Sequence, residues 1–380
     1  VLCAGAADMA YHAKLSPSGA HRWSTCTASP GQSAGKPNLS SDASMQGTAE
    51  HQISAECLEN GGDPSSYVGR TMLFLRDADG HTSEEWLDTW VDEAKLFTET
   101  NRIKIDDDSA ARCMAYIQFI RDLVTTRDAT LMVEQRVPIG HITGEKGATG
   151  TSDSVILAGE EIIIADAKFG RGKVTAYDLV AAAEFDADGN ETVAAVYEPN
   201  PQLAMYADGS LEAFEIMGDF KTVRMIIVQP AINHVSEFAM PVAKLREYVH
   251  RLRVAAEKTR TAPEYVPTSD NCFFCPGRFD CNARNAKALN AAAGAFEDGG
   301  DTANALLSLP SDTRLGTMYS NLPFIKRWVE DLESQVRSEL EQGNPVVRDD
   351  GMSYALGDGK MGARQWIDED AATEALSKMR

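Results

Sequence analysis

The sequence predicts a mixed α/β fold, in which a small mixed sheet is flanked by helices and extended by helix at the C-terminal end. Two observations predict it. Apolar residues recur at helical spacing through the N-terminal third, and short β-rich runs bounded by turn residues begin at Leu131. The elements then run strands, helix, strand, helix, which is not the regular β-α-β-α alternation of a doubly wound sheet.

Each element has a local reason. Ser16 before Pro17 is a cap and first-turn pair, opening a helix to about Cys26. Ser44 to Leu58 is a second helix, with His51, Ala55 and Leu58 on one face. Ser83 to Arg102, with Trp86, Trp90 and Leu96 at helical spacing, and Asp108 to Arg127 are expected as two more. Leu131–Val137 alternates in part, as a strand does. Asp153–Leu157 and Ile162–Lys168 are strands joined by the turn Ala158–Gly159–Glu160–Glu161. Asn200 and Pro201 cap a helix to about Phe214, Val223–Val228 is a buried strand, and Val242–Arg260 is a helix. The expected organisation is an N-terminal tail over 1–15, a main domain over 16–284, an Ala- and Gly-rich linker over 285–310, and a C-terminal helical extension over 311–380 led by Ser311–Glu341.

No apolar run approaches the roughly 20 residues that a membrane span needs, and the opening residues lack a secretory pattern, so a reducing cytoplasm is expected. A net charge of -21 sets the chain against a phosphate backbone on average. A nucleic-acid partner therefore demands a metal ion or a locally basic groove. The seven cysteines are odd in number, which argues against a disulfide framework, and Cys272, Cys275 and Cys281 crowd together.

The main chemical feature is Gly150–Thr151–Ser152–Asp153 followed by Asp166–Ala167–Lys168. Side chains alternate along a strand, so Asp166 and Lys168 share a face, and the hairpin brings Asp153 toward it. Two converging carboxylates raise each other's pKa unless a cation sits between them. Mg²⁺ or Mn²⁺ suits such oxygen ligands and can polarise a phosphodiester and activate a water. Lys168 can orient that water and offset developing charge. The competing reading is a turn aspartate and a solvated strand end. Gly47–Thr48–Ala49–Glu50–His51 upstream and Gln202–Leu203–Ala204–Met205–Tyr206 downstream argue against it.

The series Gly-Thr-x-x-His, Gly-x-x-Asp, Asp-x-Lys and Gln-x-x-x-Tyr resembles the RecB-like branch of the PD-(D/E)xK nuclease superfamily over roughly Ser16 to Cys281. It is similar above all to AddB-type, CRISPR-associated and phage exonucleases that carry an iron–sulfur cluster. The resemblance implies a restriction-endonuclease-like core and a metal-dependent DNA exonuclease. His51, Asp153 and Asp166 would bind Mg²⁺ or Mn²⁺, and Lys168 would be the catalytic lysine. Gln202 and Tyr206 would support the site or the DNA backbone, with Glu134 a weaker candidate for a water-mediated contact. It also implies phage or prophage recombination, with a single-strand annealing protein as partner. Two alternatives stand: a catalytically silent cluster-bearing DNA-binding or assembly subunit, and an endonuclease of the CRISPR-associated type.

The C-x2-C-x5-C array of Cys272, Cys275 and Cys281 suits iron–sulfur or zinc. By the resemblance, Cys26 is the fourth ligand of a [4Fe–4S] cluster tying the N-terminal helix to the C-terminal knot; zinc stays open as the alternative. Cys3, Cys57 and Cys113 are expected to be ordinary. Lys168, Arg171 and Lys173, Lys221 and Arg224, and the group Arg246, Arg251, Arg253, Lys258 and Arg260 are candidates for a phosphate track, or else solvated faces.

Overall fold

The computed structural model describes residues 13–36, 42–76, 82–86, 100–185, 191–293, 311–348 and 351–356. The chain divides into two compact units, Val1–Arg278 and Phe279–Arg380.

In the first unit the elements follow in order. They are α1 (Ala20–Thr25), α2 (Ser29–Ser33), α3 (Asp42–Asn60), β1 (Thr71–Arg76), β2 (Thr82–Trp86), β3 (Thr100–Lys104), α4 (Asp107–Arg127), β4 (Thr130–Pro138), α5 (Gly140–Thr143), β5 (Thr149–Ala158) and β6 (Glu161–Ala167). Then come β7 (Tyr177–Ala181), β8 (Glu184–Phe185), β9 (Glu191–Val193), β10 (Val196–Pro199), α6 (Pro201–Ala213), β11 (Thr222–Gln229), β12 (His234–Pro241), α7 (Val242–Thr261) and α8 (Ser269–Phe273). The central sheet has five strands in the order β12-β11-β6-β5-β4. Only β6 and β11 pair in parallel; the other neighbours are antiparallel. A parallel pair needs a crossover, and the segment containing α6 supplies it. Small sheets β2-β1-β3, β10-β7 and β8-β9 complete the unit.

The burial of β6 explains the layering. Ile162 through Ala167 are all buried, as expected of a central strand covered on both faces. Ile162 and Ile164 join one core with Leu203 and Leu211 of α6 and Leu245 and Leu252 of α7. Ile163, Ala165 and Ala167 join a second core with Ile53 of α3 and Tyr116, Ile117 and Ile120 of α4. The sheet is thus the middle of three layers. Strand alternation puts Asp166 on the α6 side, in phase with Ile162 and Ile164. Helix α6 starts where Asn200 Oδ1 accepts from Gln202 N at 3.0 Å, with Pro201 in the first turn. It lies close enough to β4 that a Cβ on Gly209 would stand 2.5 Å from the Pro138 carbonyl oxygen. The N-cap of α4 is Asp106, whose carboxylate accepts from Ser109 N at 2.8 Å.

In the second unit α9 (Asn282–Ala293) and α10 (Ser311–Glu341) are joined by a buried Arg284–Asp331 ion pair at 2.5 Å. Trp328 Nε1 also donates to Asn285 Oδ1 at 3.0 Å. Among the described residues no helix is long and apolar enough to cross a membrane.

Three expectations are corrected. Ser83 to Arg102 is not one helix, since β2 and β3 occupy its ends, and residues 87–99 lie outside the described residues. Both strands pair with β1, and that pairing overrides a spacing of tryptophans that also fits a helix. The expected linker is helical as far as Ala293, because alanine favours helix, and residues 294–310 lie outside the described residues. Strand β12 adds a fifth strand to the four that the sequence suggested. The expected tail is described only from Ala13, and residues 357–380 of the expected C-terminal extension also lie outside the described residues.

Candidate functional site

The C-terminal end of β6 gathers the predicted side chains. Beyond the last ladder pair of β5 and β6, Ser154 with Ala165, Asp153 and Asp166 stand across from each other. Asp153 Oδ2 accepts from Ala167 N at 2.8 Å, which fixes its carboxylate at the strand end. Lys168 N donates to Val228 O at 2.9 Å, extending the pairing with β11 one residue beyond β6. That bond holds the lysine on the Asp166 face. Its Nζ lies 2.6 Å from Asp166 Oδ2.

Gln202, in the first turn of α6, links the group. Its Nε2 donates to Asp166 Oδ1 at 3.1 Å and approaches Tyr206 Oη at 3.4 Å, while its Oε1 lies 3.4 Å from Lys168 Nζ. From the other side His51 of α3 places Nδ1 3.3 Å from Asp153 Oδ2. All six predicted residues of this site therefore converge. The motif glycine has a steric role too: a Cβ on Gly150 would stand 2.9 Å from the Tyr206 ring.

Three further residues belong to the surroundings. Glu134 lies between Val133 and Gln135, which pair with Ser154 and Ser152, so it stands across from Asp153. Its φ of 48° is left-handed, a costly conformation for a side chain other than glycine. Phe169 packs its ring edge-on against His51 at 5.2 Å between centroids. Tyr116 Oη lies 2.9 Å from Ser154 Oγ and 3.4 Å from Ala165 O, beneath the acidic pair. Alternation past Ala167 could have flagged Phe169; nothing local marks Tyr116.

The electrostatics follow from burial and pairing. Burial raises Asp166 and the charge of Asp153 adds to it, so its pKa stays above the ordinary value despite Lys168. Burial also works on Asp153, but His51, Lys168 and the Ala167 N–H outweigh it and hold Asp153 low. Desolvation opposes charge on His51 and on Lys168, yet the two aspartates prevail and both bases are raised. Lys168 is therefore a fixed cation rather than a base. Glu134 is pushed up to about 7 by desolvation and by Asp153, although the residue is open to solvent at the surface.

Two carboxylates converge here, and the buried Asp166 Oδ2 meets the Lys168 ammonium without a hydrogen bond of good geometry. Among the described residues no three His, Cys, Asp or Glu side chains already stand as a closed coordination group. The protein's own cations, Lys168 and His51, sit against the carboxylates instead.

The cysteines divide between the units. In the first, Cys26 follows α1 and its Sγ accepts from Val266 N at 3.4 Å, while Cys275 Sγ lies 3.5 Å from Ser33 Oγ. Around them the N-terminal helices are stitched to the segment before and after α8. Ala28 N donates to Glu264 O at 3.0 Å, Gln32 Nε2 to Gly277 O at 3.2 Å, and Arg22 Nη1 to Phe274 O at 2.5 Å. Cys272 is buried there. Cys281 is a buried residue of the second unit, and its carbonyl accepts from Asn285 N in the first turn of α9. Cys57 and Cys113 are buried in the core between α3 and α4, and Cys3 lies outside the described residues.

Several predicted phosphate-track cations have local partners. Arg224 pairs with Glu161 and Glu237, Arg251 with Glu198, Lys221 with Asp219, and Arg260 Nη1 donates to Thr143 O. Arg171 and Lys173 are exposed next to the acidic site.

Fold and site together define a mixed α/β protein with a paired-carboxylate and lysine cluster at the end of its central strand. The chain belongs to the family DUF2800, described as a protein of unknown function, which matches residues 12–380. It is also similar to a solved structure described as "Crystal structure of SSO0001", at 12% identity over 47% of this chain and 71% of that one, with a TM-score of 0.24.

Proposed function

We propose that this chain is a divalent-metal-dependent deoxyribonuclease with a RecB-like PD-(D/E)xK core, acting as an exonuclease on DNA ends. The observation that carries the reading is the convergence of Asp153, Asp166 and Lys168 with Gln202 at one strand end. Asp153 and Asp166, with His51, would hold Mg²⁺ or Mn²⁺. Such an ion supplies polarisation of the phosphodiester and a water of lowered pKa.

The remaining roles belong to the chain. Lys168, kept protonated by its aspartates, offsets negative charge growing on the phosphate and orients the attacking water. Gln202 holds the lysine and Asp166 in a fixed relation, and the Tyr206 hydroxyl lies beside the Gln202 amide. Exposed Arg171 and Lys173 offer phosphate contacts beside the site, which the overall acidity makes necessary.

The test is cleavage of end-labelled linear DNA against closed circular DNA. Activity on the linear form should vanish with chelator and return with Mg²⁺ or Mn²⁺, and Asp166→Asn should lose at least about a hundred-fold in rate. Ca²⁺ should bind, read by calorimetry, without supporting turnover. Undiminished cleavage in chelator overturns the reading, and cutting of the closed circle turns it to an endonuclease.

Within the same proposal, Cys26, Cys272, Cys275 and Cys281 bind a [4Fe–4S] cluster. The stitching of α1 and α2 to the segment around α8 supports it, since a staple would reinforce contacts that already exist. Protein purified without oxygen should be brown and carry about four irons per chain. Stoichiometric zinc without iron would replace the cluster by a zinc staple.

A further inference from the structure

A second feature of the first unit lies on a different face of α6 from Gln202 and Tyr206. A cavity of about 300 Å³ is lined by His141 of α5, Asp208 of α6, and Arg246, Val249, His250 and Arg253 of α7. Spacings of four and three residues put Arg246, His250 and Arg253 on one face of α7.

The charges are not randomly mixed. The acids at this cavity are engaged by one ring: His141 Nε2 lies 2.7 Å from Asp208 Oδ2, and its Nδ1 lies 2.7 Å from Glu212 Oε2. Carboxylates on both nitrogens require both to carry protons, so this histidine is an imidazolium. Across from it neither arginine has a carboxylate partner among the described residues. Arg253 Nη2 lies 3.0 Å from His250 Nδ1, and a guanidinium can only donate. The Nδ1 of His250 is therefore the acceptor, and in the neutral ring its Nε2 carries the proton. Arg246 is exposed and has no ion-pair partner among the described residues. In a chain with 57 acidic residues against 36 Lys and Arg, a pair of arginines without carboxylate partners needs a reason.

We propose that this cavity is a binding site for a phosphate group, held by Arg246, Arg253 and the Nε2–H of His250, with the His141 imidazolium offsetting part of the charge of the nearby acids. A cation is the wrong ligand, because two guanidinium groups face the space. A tetrahedral oxyanion matches planar donors converging from one helix face. Val249 gives the cavity an apolar floor, which strengthens charge-assisted hydrogen bonds above it. The site does not depend on the nuclease reading, since none of its residues touches the acidic cluster.

The experiment is calorimetric titration of the full chain with inorganic phosphate at low salt, with chloride at matched ionic strength as control. Wild-type protein should show saturable binding with one phosphate per chain, and the Asp166→Asn variant should bind equally. The Arg246→Ala/Arg253→Ala double variant should bind about ten-fold more weakly or worse, since each loses a charge-assisted hydrogen bond. Both arginines are exposed, so circular dichroism should show the variant folded. A short single-stranded oligonucleotide that displaces inorganic phosphate assigns the group to a nucleic-acid strand, and failure to displace assigns it to a free phosphate; either upholds the site. Absence of saturable binding in wild type, or undiminished binding in the double variant, overturns it.

Discussion

Helix α3 carries Glu50 and His51 at consecutive positions, and the two serve regions of opposite character. Glu50 is fully buried and directs one oxygen at Arg112, with further bonds from Arg112 Nε at 3.1 Å and Gln46 Nε2 at 3.0 Å. His51 faces the acidic end of β5 and β6. Both regions hold a buried carboxylate oxygen with no hydrogen bond of good geometry, Glu50 Oε2 in one and Asp166 Oδ2, beside the Lys168 ammonium, in the other. Such an oxygen therefore does not mark the site. The difference is that Glu50 is one carboxylate with one guanidinium, a neutral structural pair. Asp153 and Asp166 are two carboxylates facing each other, with His51 and Lys168 set against them.

The sharpest way to break that comparison is to neutralise each region. Glu50→Ala leaves Arg112 without its partner in a mostly buried place and should cost about 2 kcal/mol, somewhat less than a fully buried pair because Arg112 keeps some contact with water. Asp166→Asn removes a repulsion as well as an attraction and should change stability by less than about 1 kcal/mol. Its loss should appear in cleavage instead. Equal destabilisation by the two substitutions, read by chemical denaturation, would make the acidic pair another structural network.

Much of the site was legible because its residues sit on elements whose local signals agree. The Asn200–Pro201 cap, the isoleucine run of β6 and the turn before it each fix a backbone position by short-range chemistry. Alternation then delivers Asp166 and Lys168 to one face. Where identity depends on distant pairing, sequence falls short. His234–Pro241 is β12, a sheet-edge strand with His234, Ser236 and Glu237 among its eight residues, and the sequence reading places no element there. Trp86 was read as helical but pairs across to Met72. Tyr116 reaches the site only because α4 packs beneath the sheet. Glu134 was a weak candidate until its backbone conformation and register across from Asp153 were visible.

That backbone gives the next test. Asp128 and Glu134 both adopt left-handed φ, at 49° and 48°. The first closes the C-terminus of α4, where such a residue is common. The second interrupts a strand at the site and has no such excuse. Glu134→Ala removes the carboxylate and keeps the strain, whereas Glu134→Gly removes both. The glycine variant should be the more stable of the two by about 1 kcal/mol. Equal stabilities would mean that the conformation at Glu134 stores nothing.

The smallest effect concerns the second histidine–carboxylate contact. His51 faces one aspartate that Lys168 also serves, whereas His141 is bracketed by Asp208 and Glu212. Its hydrogen bond to Asp208 is the main cause of its raised pKa, with desolvation and Arg253 opposing and the two carboxylate charges assisting. A folded-state pKa above the unfolded value favours folding most when the ring is charged in both states. The contribution is therefore complete below the unfolded value of about 6.5 and is lost as pH rises through the higher folded value. His141→Gln should lower the melting temperature most near the acid end of that window, and the gap to wild type should narrow steadily toward alkaline pH. The loss should stay within about 1 kcal/mol, because the ring is partly open to water and such pairs are weak. A gap that is constant with pH would show that His141 acts by packing alone, and would remove the partial charge offset beside the neighbouring phosphate site.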